Sequence, residues 1–304
     1  MKPAAVLFIV FKRYDTTKKV WEALEAIQPA KLYIAADGPR SEVEGEVQAC
    51  QKVRELIKNV SWPCDVHYLL REKNKGLKYG FFEAVSWFFE QEEEGLIIED
   101  DCVPSADFFR FAYEMLEKYR YDTRIMQISG SNFQPSPRGN ASYFLSRYNH
   151  VWGWATWRRA WVKMDLEMTQ LHAFLQTCDQ TGFWDSRLER KYWRRILTRM
   201  VVENHQTWDY QWKYSIWKEG GLTVYPNSNM ITNIGFGVDA THTSRKDKRE
   251  NRAFQPLEKV THPPFFLRNR SADAYTFRHL YWGTWHERLL ARLGKVLRLL
   301  GWKK

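Results

Sequence analysis

Three acidic residues in a row, Glu99, Asp100 and Asp101, follow the short apolar run Leu96-Ile97-Ile98. An apolar run that ends in acids is typical of a buried strand at its carboxyl end, where open α/β sheets bind their ligands. Adjacent carboxylates repel one another and raise each other's pKa, so they favour a neutralising partner. A hard divalent cation such as Mn²⁺ or Mg²⁺, itself holding a phosphate, is one such partner. A solvated acidic turn is the alternative.

The elements that would position this triplet alternate along the first hundred residues. Apolar runs at 6–11, 32–36, 66–70 and 96–98 predict buried strands, and the amphipathic stretches between them predict helices. Four such units predict an α/β fold with a doubly wound, mostly parallel sheet.

Composition narrows the functional classes. The 304-residue chain has a formal net charge of +10, which suggests an anionic partner such as a nucleotide, a nucleic acid, a phospholipid surface or an acidic glycan. Its four cysteines are widely spaced without a zinc pattern, which is typical of reduced thiols. The P-loop, GxGxxG and GxSxG motifs are missing, which argues against P-loop NTPases, dinucleotide oxidoreductases and serine hydrolases. With no signal-peptide pattern at the start, we expect a cytoplasmic protein, soluble or peripheral on the inner face of the membrane.

Further motifs follow in order at 150–154 (His-Val-Trp-Gly-Trp), 208–212 (Trp-Asp-Tyr-Gln-Trp) and 239–243 (Asp-Ala-Thr-His-Thr). Together with the triplet, they resemble the GT-A glycosyltransferases. The triplet is similar to that of the N-acetylglucosaminyltransferase I family, and the whole run resembles bacterial haemolytic-protein-like glycosyltransferases. The resemblance implies a GT-A fold and metal-dependent transfer of a sugar from a nucleotide-diphosphate donor, such as a UDP-sugar, to a glycan hydroxyl. It also implies inversion and a role in bacterial surface polysaccharide or glycan synthesis. A retaining transferase and a nucleotidyltransferase on the same fold are the enzymatic alternatives.

The resemblance also implies roles for individual residues. Asp101 would bind Mn²⁺ or Mg²⁺ directly, Glu99 and Asp100 would reach the ribose or the metal's waters, and His242 would be a late metal ligand. Asp209 matches the catalytic base of inverting members, because a carboxylate within hydrogen-bond reach can take the acceptor's proton. A plain helix N-cap is the alternative for Asp209, and an unpaired surface histidine is the alternative for His242.

Nine further residues are expected to contact the donor or to form the floor where donor and acceptor meet: Phe11, Arg13, Asp37, Arg71, Asn74, Gly76, Trp152, Gly153 and Trp154. Those at the ends of the first three strands would contact the base, the ribose and the phosphates. The aromatic residues would stack on sugar faces. Core packing, a simple Asp-Gly turn and a solvated basic loop are the alternative interpretations.

We expect a catalytic domain over 1–245, with a nucleotide-sugar half (1–104) and an aromatic-rich acceptor half (105–245), and a basic helical extension over 246–304. Apolar residues in 288–304 recur at helical spacing among cations, which predicts an amphipathic helix on an anionic membrane surface. Docking of that helix on the domain core is the alternative. A lipid-linked glycan acceptor would suit the membrane interpretation.

The alternative from another class is a non-catalytic basic protein that binds nucleic acid or acidic glycan. Its basis is the positive charge together with abundant aromatic residues. That charge lies largely in 187–199 and 245–304, away from the triplet, so we expect no nucleic-acid partner.

Overall fold

The protein is described from a computed structural model covering residues 3–236 and 251–283. The predictions for His242 and for the helix at 288–304 fall outside the described residues. Within those residues, no helix is both long and apolar enough to cross a membrane.

Strands and helices alternate through the first hundred residues. They are β1 (Ala5–Val10), α1 (Tyr14–Ile27), β2 (Lys31–Ala36), α2 (Glu46–Lys58), β3 (Asp65–Leu70), α3 (Gly76–Gln91) and β4 (Glu94–Glu99). The four predicted strands are therefore present, each close to its predicted bounds.

The rest of the chain mixes short strands with helices. Its elements are β5 (Cys102–Pro104), α4 (Ala106–Lys118), β6 (Ile125–Ser129), β7 (Tyr143–Ser146), β8 (Trp154–Trp157), α5 (Arg158–Trp161), α6 (Leu171–Gln180), α7 (Arg187–Val202), α8 (Asp209–Lys218), β9 (Leu222–Pro226), β10 (Ile231–Asn233) and α9 (Arg270–Thr276), followed by a π-helical turn (Phe277–Tyr281).

Eight of these strands form one sheet in the order β3-β2-β1-β4-β8-β6-β9-β7. The pairs among β1–β4 are parallel, whereas β8 and β7 run antiparallel to their neighbours. Because β9 is parallel to β6, six of the eight strands share one direction. The predicted mixed α/β fold with a mostly parallel sheet is confirmed. The same sheet includes strands from both predicted halves of the catalytic domain.

Both faces of the sheet are covered, which explains the continuous apolar sequence of its central strands. On β1, Val6 and Phe8 face one way and pack with Trp21 of α1. Leu7 faces the other way and packs with Phe88 of α3. Because side chains alternate along β1, this strand contributes residues to the core on each face of the sheet.

The direction of winding reverses between β1 and β4. From β1 the chain moves outward to β2 and β3, and it then returns to place β4 on the other side of β1. In open α/β sheets such a reversal opens a crevice at the carboxyl ends of the two central strands. Ile9 of β1 lies opposite Glu99 of β4, so the crevice opens beside the acidic triplet.

Residues 251–283 pack on this same body. The backbone N–H of Leu257 donates to Asp107 of α4 at 3.0 Å, and that of Asn269 donates to the Leu145 carbonyl of β7 at 2.8 Å. The side chain of Phe277 is buried in the core on the α3 side. The described part of the basic extension is thus held against the sheet.

Candidate active site

A cavity of about 260 Å³ lies at the carboxyl ends of β1–β4. Its wall comes from the residues that end these strands and from the beginning of α3. Four basic side chains line it together with three acids: Lys12, Arg13, Arg40, Arg71, Asp37, Glu99 and Asp100. A concave, mostly preformed site of mixed charge at this position in the sheet is suited to an anionic small molecule.

At the mouth of the cavity, Arg13 joins two members of the triplet. One nitrogen of its guanidinium, Nη2, donates both to Asp100 Oδ1 and to Asp101 Oδ2, the latter at 2.8 Å. Burial works against the charge of Arg13, but the two carboxylates more than offset it and raise the pKa of Arg13. The carboxylates of Asp100 and Asp101 therefore converge on a single cationic atom.

Glu99 and Asp100 of the triplet keep their protons more strongly than ordinary acids do, because their pKa values are raised. Burial, together with the charges of Asp101 and Asp100, raises the pKa of Glu99 well above its usual value. Burial also raises the pKa of Asp100 to about 6, although Arg13 acts in the opposite direction. Glu99 is thus suited to donate a hydrogen bond, and Asp100 and Asp101 are the members suited to hold a cation.

Two observations show that Asp100 and Asp101 fit a divalent metal ion. Their oxygens already face one cationic nitrogen, and carboxylate oxygens are the donors that Mg²⁺ and Mn²⁺ prefer. In addition, a Cβ added at Gly235 would lie 2.0 Å from Asp101 Oδ2, so a glycine keeps this side of the carboxylate open. Mg²⁺ is commonly held by one or two carboxylates together with substrate phosphates, which matches two protein ligands.

Two of the three metal ligands predicted from the sequence, Glu99 and Asp101, lie at the carboxyl end of β4, and the three-ligand site with His242 stays a prediction. Within residues 3–236 and 251–283, no three His, Cys, Asp or Glu side chains come together as a metal-binding group. The physical reason is that Asp100 and Asp101 turn toward Arg13, while Glu99 belongs to the pocket wall at the end of β4. The predicted third ligand, His242, lies outside the described residues.

Asp209 is brought near the triplet by α8. It is the first residue of that helix, and its carboxylate accepts a hydrogen bond from the Thr207 hydroxyl. Trp208 stacks on the pocket residue Phe81 at 3.6 Å between ring centroids, which fixes the start of α8 beside the crevice. The charge of Asp209 contributes to the raised pKa of Glu99, so the two carboxylates lie within electrostatic reach of each other.

The alternative interpretation of Asp209 as an N-cap is not what the structure shows. The cap residue of α8 is Trp208, and no side-chain hydrogen bond caps the helix. The Asp209 carboxylate is therefore free of a capping bond to the backbone and remains suited to proton transfer.

The loops after β2 and β3 are tied together by Asp37 and Asn74. Asp37 accepts from the backbone N–H groups of Gly38, Lys75 and Gly76 at 2.9–3.2 Å. Asn74 donates to the Gly38 carbonyl at 2.8 Å and accepts from Gly76 at 3.0 Å. Asp37 and Asn74 were predicted to contact the nucleotide directly. In the structure their polar atoms hold the pocket wall, because the two loops meet there and their backbone amides need partners. Both residues also line the cavity, and their contact with a nucleotide stays a prediction.

Close packing explains one glycine of this wall. A Cβ at Gly38 would approach the backbone of Lys73 to 2.4 Å, so a larger residue would separate the loops. Gly76 has φ +74°, a left-handed conformation that favours glycine at the start of α3.

Arg71 and Phe11 remain available to a ligand. Both line the cavity, as their predicted roles require. The Arg71 guanidinium lies 3.4 Å from Glu83, a half-exposed partner that leaves part of the guanidinium for another anion. Phe11 is only partly buried and lies under the Lys12 ammonium.

The aromatic motif after residue 150 divides between the surface and the core. Trp152 is partly exposed and meets Phe133 and Phe236 edge to face. Gly153 has φ +57°, and a Cβ there would meet Ile231 at 2.3 Å. Trp154 is fully buried on β8 and packs with Trp208 and Trp212. The prediction that Trp154 forms part of the sugar-binding floor is therefore wrong, because both faces of β8 are covered and the Trp154 side chain is enclosed in the core.

Three residues at the pocket, Lys12, Arg40 and Glu46, were not predicted from the sequence as site residues. Lys12 and Arg40 line the cavity, and both pair with the buried carboxylate of Glu46, at 2.7 and 2.6 Å. This shared contact lowers the pKa of Glu46 to about 2, chiefly through Arg40. The available signal was that Lys12 and Arg40, like Arg13 and Asp37, follow the ends of β1 and β2.

A buried lysine lies behind Asp209. Lys213, four residues along α8, is surrounded by the rings of Tyr148, Trp193, Trp217 and Tyr281 at 5.1–5.9 Å. It donates to the Asn149 carbonyl at 3.2 Å. Burial lowers the pKa of Lys213 to about 7, although the charge of Asp209 opposes the shift.

No protein-family model matches the chain, and a search of curated proteins finds no similar sequence. Among solved structures, it is similar to the mannosyltransferase PcManGT from Pyrobaculum calidifontis in complex with GDP-Man and Mn²⁺. The identity is 10% and the TM-score 0.40, over 72% of this chain and 70% of that one. It is also similar to S. aureus TarS 1–349, at 11% identity and a TM-score of 0.33, over 58% and 49% of the two chains. Likeness at this level assigns no activity, so function must be argued from this chain's own residues.

Proposed function

We propose that this protein is a metal-dependent GT-A-type glycosyltransferase. It would move a sugar from a nucleotide-diphosphate donor, with UDP as the first candidate, to a hydroxyl of a glycan or lipid-linked glycan. The observation that carries the proposal is the convergence of Asp100 and Asp101 on one cationic nitrogen, at the mouth of a cavity that is also lined by basic side chains. Surface polysaccharide or glycan synthesis is the proposed setting.

The cavity suits the nucleotide-diphosphate part of such a donor. Arg71 would meet a phosphate, and Phe11 would contact the base, while the joined loops at Asp37 and Asn74 hold the wall in shape. Asp100 and Asp101 would hold Mn²⁺ or Mg²⁺. When bound, the ion stabilises the charge that develops on the leaving diphosphate.

Asp209 would act as the catalytic base. A hydroxyl is a weak nucleophile, and a carboxylate within hydrogen-bond reach can accept its proton during attack. Attack from the Asp209 side, opposite the diphosphate, would invert the anomeric carbon. Glu99, with its raised pKa, would keep its proton and donate a hydrogen bond without adding negative charge beside the phosphates.

The test is a thermal-shift panel of UDP-, GDP-, CMP- and dTDP-sugars, each with and without Mn²⁺, on the wild type and on Asp101→Asn. A ligand that binds the folded state at about 100 times its Kd adds about 2.7 kcal/mol of stability. We expect one nucleotide class to stabilise the wild type only with Mn²⁺, and to lose that dependence in the variant.

The other outcomes separate the alternatives. Stabilisation by DNA or RNA that Asp101→Asn leaves intact, with no response to any nucleotide sugar, would identify a basic binding protein instead. Once a donor is known, the anomeric configuration of the product, read by NMR, distinguishes inversion from retention.

A further inference from the structure

Arg13 differs from the other basic residues of the cavity in the partners that it has. Lys12 and Arg40 pair with Glu46, and Arg71 lies near Glu83. Arg13 instead pairs with Asp100 and Asp101, the two carboxylates that fit a metal ion. Its cationic nitrogen thus lies where a divalent ion would need to meet the same oxygens.

The backbone of Arg13 is fixed while its side chain is long. Its carbonyl accepts from the backbone N–H of Thr17 at 3.0 Å and from the Thr17 hydroxyl at 2.6 Å, at the start of α1. The side chain retains 23% exposure, so the guanidinium borders solvent at the mouth of the cavity. A rotation of the side chain alone can therefore move its charge without disturbing the helix.

We propose that Arg13 is a positioning residue that couples the binding of metal and diphosphate. Before the donor binds, Arg13 neutralises Asp100 and Asp101. When a divalent ion takes that position, the guanidinium moves to the diphosphate of the incoming nucleotide. The inference rests on the proposed function and adds to it a residue that makes the two binding events depend on each other.

The physical argument has two parts. A guanidinium and a divalent ion cannot share the same carboxylate oxygens, because they would overlap and repel, so metal binding requires the Arg13 contacts to open. A displaced guanidinium needs a new anionic partner, and a diphosphate accepts its forked donors well. Either ligand alone must open the pair, whereas the second ligand binds a site that is already open. That dependence is positive coupling between the two ligands.

The first measurement is the affinity for Mn²⁺ alone, followed by EPR of the free ion. We expect Arg13→Gln to bind Mn²⁺ about tenfold more tightly than the wild type, within the usual range of coupling between sites. The matched control is Lys12→Gln, which removes a positive charge from the same cavity but leaves Arg13 in place. It should change the Mn²⁺ affinity by less than about threefold, since its effect is only a screened field.

The second measurement is equilibrium dialysis of UDP, with GDP as a second probe, with and without saturating Mn²⁺. The gain in nucleotide affinity from Mn²⁺ should fall about tenfold in Arg13→Gln relative to the wild type. Direct contact between metal and phosphate is common to both proteins and cancels in this comparison. Arg13→Lys keeps the charge without the fork and should lie between the two, which also provides a test if Arg13→Gln folds poorly.

Three outcomes would decide the matter. Equal Mn²⁺ affinities in Arg13→Gln and Lys12→Gln would attribute the effect to charge alone and overturn the coupling. Unchanged nucleotide coupling in both Arg13 variants, with normal binding by the wild type, would also overturn it and leave the proposed function standing. Failure of the wild type to bind Mn²⁺ in the presence of any nucleotide of the thermal-shift panel, together with failure to bind any of those nucleotides, would overturn both.

Discussion

Two groups of acidic side chains among the described residues differ in how many cations pair with them. The crevice carboxylates are Glu99, Asp100, Asp101 and Asp209, and Arg13 is the cation bonded to this group among the described residues. The buried ion cluster consists of Asp185, Glu189 and Asp273 with Arg147 and Arg268, and it is completed at the surface by the exposed Arg270, which pairs with Asp185.

The buried ion cluster is balanced, with three acids and three arginines. Arg147 pairs with Glu189 at 2.5 Å, and both side chains are about 4% exposed. Tyr148 and the backbone of Asp185 also donate to Glu189, so the carboxylate is fully engaged. The cluster joins β7, α7 and α9, which lie far apart in the sequence.

Carboxylates that stabilise the fold are thereby distinguished from carboxylates that can bind a ligand. A buried charge without a partner costs several kcal/mol, so a structural cluster tends to supply its own counter-charges. A group of acids with one mobile arginine keeps repulsion that a bound cation can relieve. Removing an acid should therefore affect activity in the crevice, whereas removing a cation should affect stability in the cluster.

The largest expected effect is on turnover. Asp209→Asn should lower turnover by a factor of roughly 10²–10⁴, the usual contribution of a general base, while donor affinity stays near wild type. The measurement is steady-state kinetics with the donor found in the thermal-shift panel. Asp122→Asn, which removes an acid paired with Arg124 at the surface, is the control and should keep full turnover. Near-normal turnover in Asp209→Asn would show that Asp209 is not the base.

The next effect is on folding. Arg147→Met should lower the free energy of unfolding by about 3–5 kcal/mol, because Glu189 and Asp185 lose a buried partner. Chemical denaturation measures the change. Arg199→Met on α7, the helix that carries Glu189, breaks an exposed pair with Glu203 and should change the free energy of unfolding far less than Arg147→Met does. Equal costs for the two variants would remove the distinction between structural and exposed pairs.

The pKa of Lys213 responds to both the crevice carboxylates and the buried ion cluster, because the charges of Asp209 and Asp273 both act on it. Its pKa is lowered from 10.5 to about 7, so between these values the unfolded chain binds the extra proton and stability should rise with pH. Lys213→Met should remove this rise between pH 7 and about 10. Unfolding free energies across that range check the prediction, with Lys218→Met at the end of α8 as control. A wild-type curve that stays parallel to that of Lys213→Met would contradict it.

The smallest expected effect is a gain in stability. Asp100→Asn should raise the free energy of unfolding by about 0.5–1 kcal/mol near pH 7, because it removes the cost of burying a charged carboxylate and, secondly, the repulsion by Asp101. The pKa of Asp100 is raised to about 6 from 3.8, so its ionised form opposes folding and the gain should shrink as pH falls below 6. Denaturation at pH 7 and pH 4.5 measures both parts. A loss of stability at pH 7 would mean that the Arg13 pair outweighs the repulsion.

The architecture of the first hundred residues follows from the sequence. Apolar runs and helical periodicity are local signals, and they place β1–β4 and α1–α3 within a few residues. The ends of those strands bring Arg13, Asp37, Arg71 and the triplet to one edge of the sheet, because parallel strands share that edge. The cavity could therefore be predicted as a location, together with half of the residues that line it.

Only the tertiary structure decided what each polar atom contacts. Arg13 meets Asp100 across 87 positions of sequence, and Asp37 meets Lys75 across 38. Trp152 and Trp154 are two residues apart in one motif, yet Trp152 reaches the surface and Trp154 the core. A local pattern specifies an element and its faces. A carboxylate can pair with a guanidinium, hold a loop or bind a metal ion, and its partner depends on which distant chain segments fold to the same place. The spacing of those segments in the sequence does not indicate that they will be in contact.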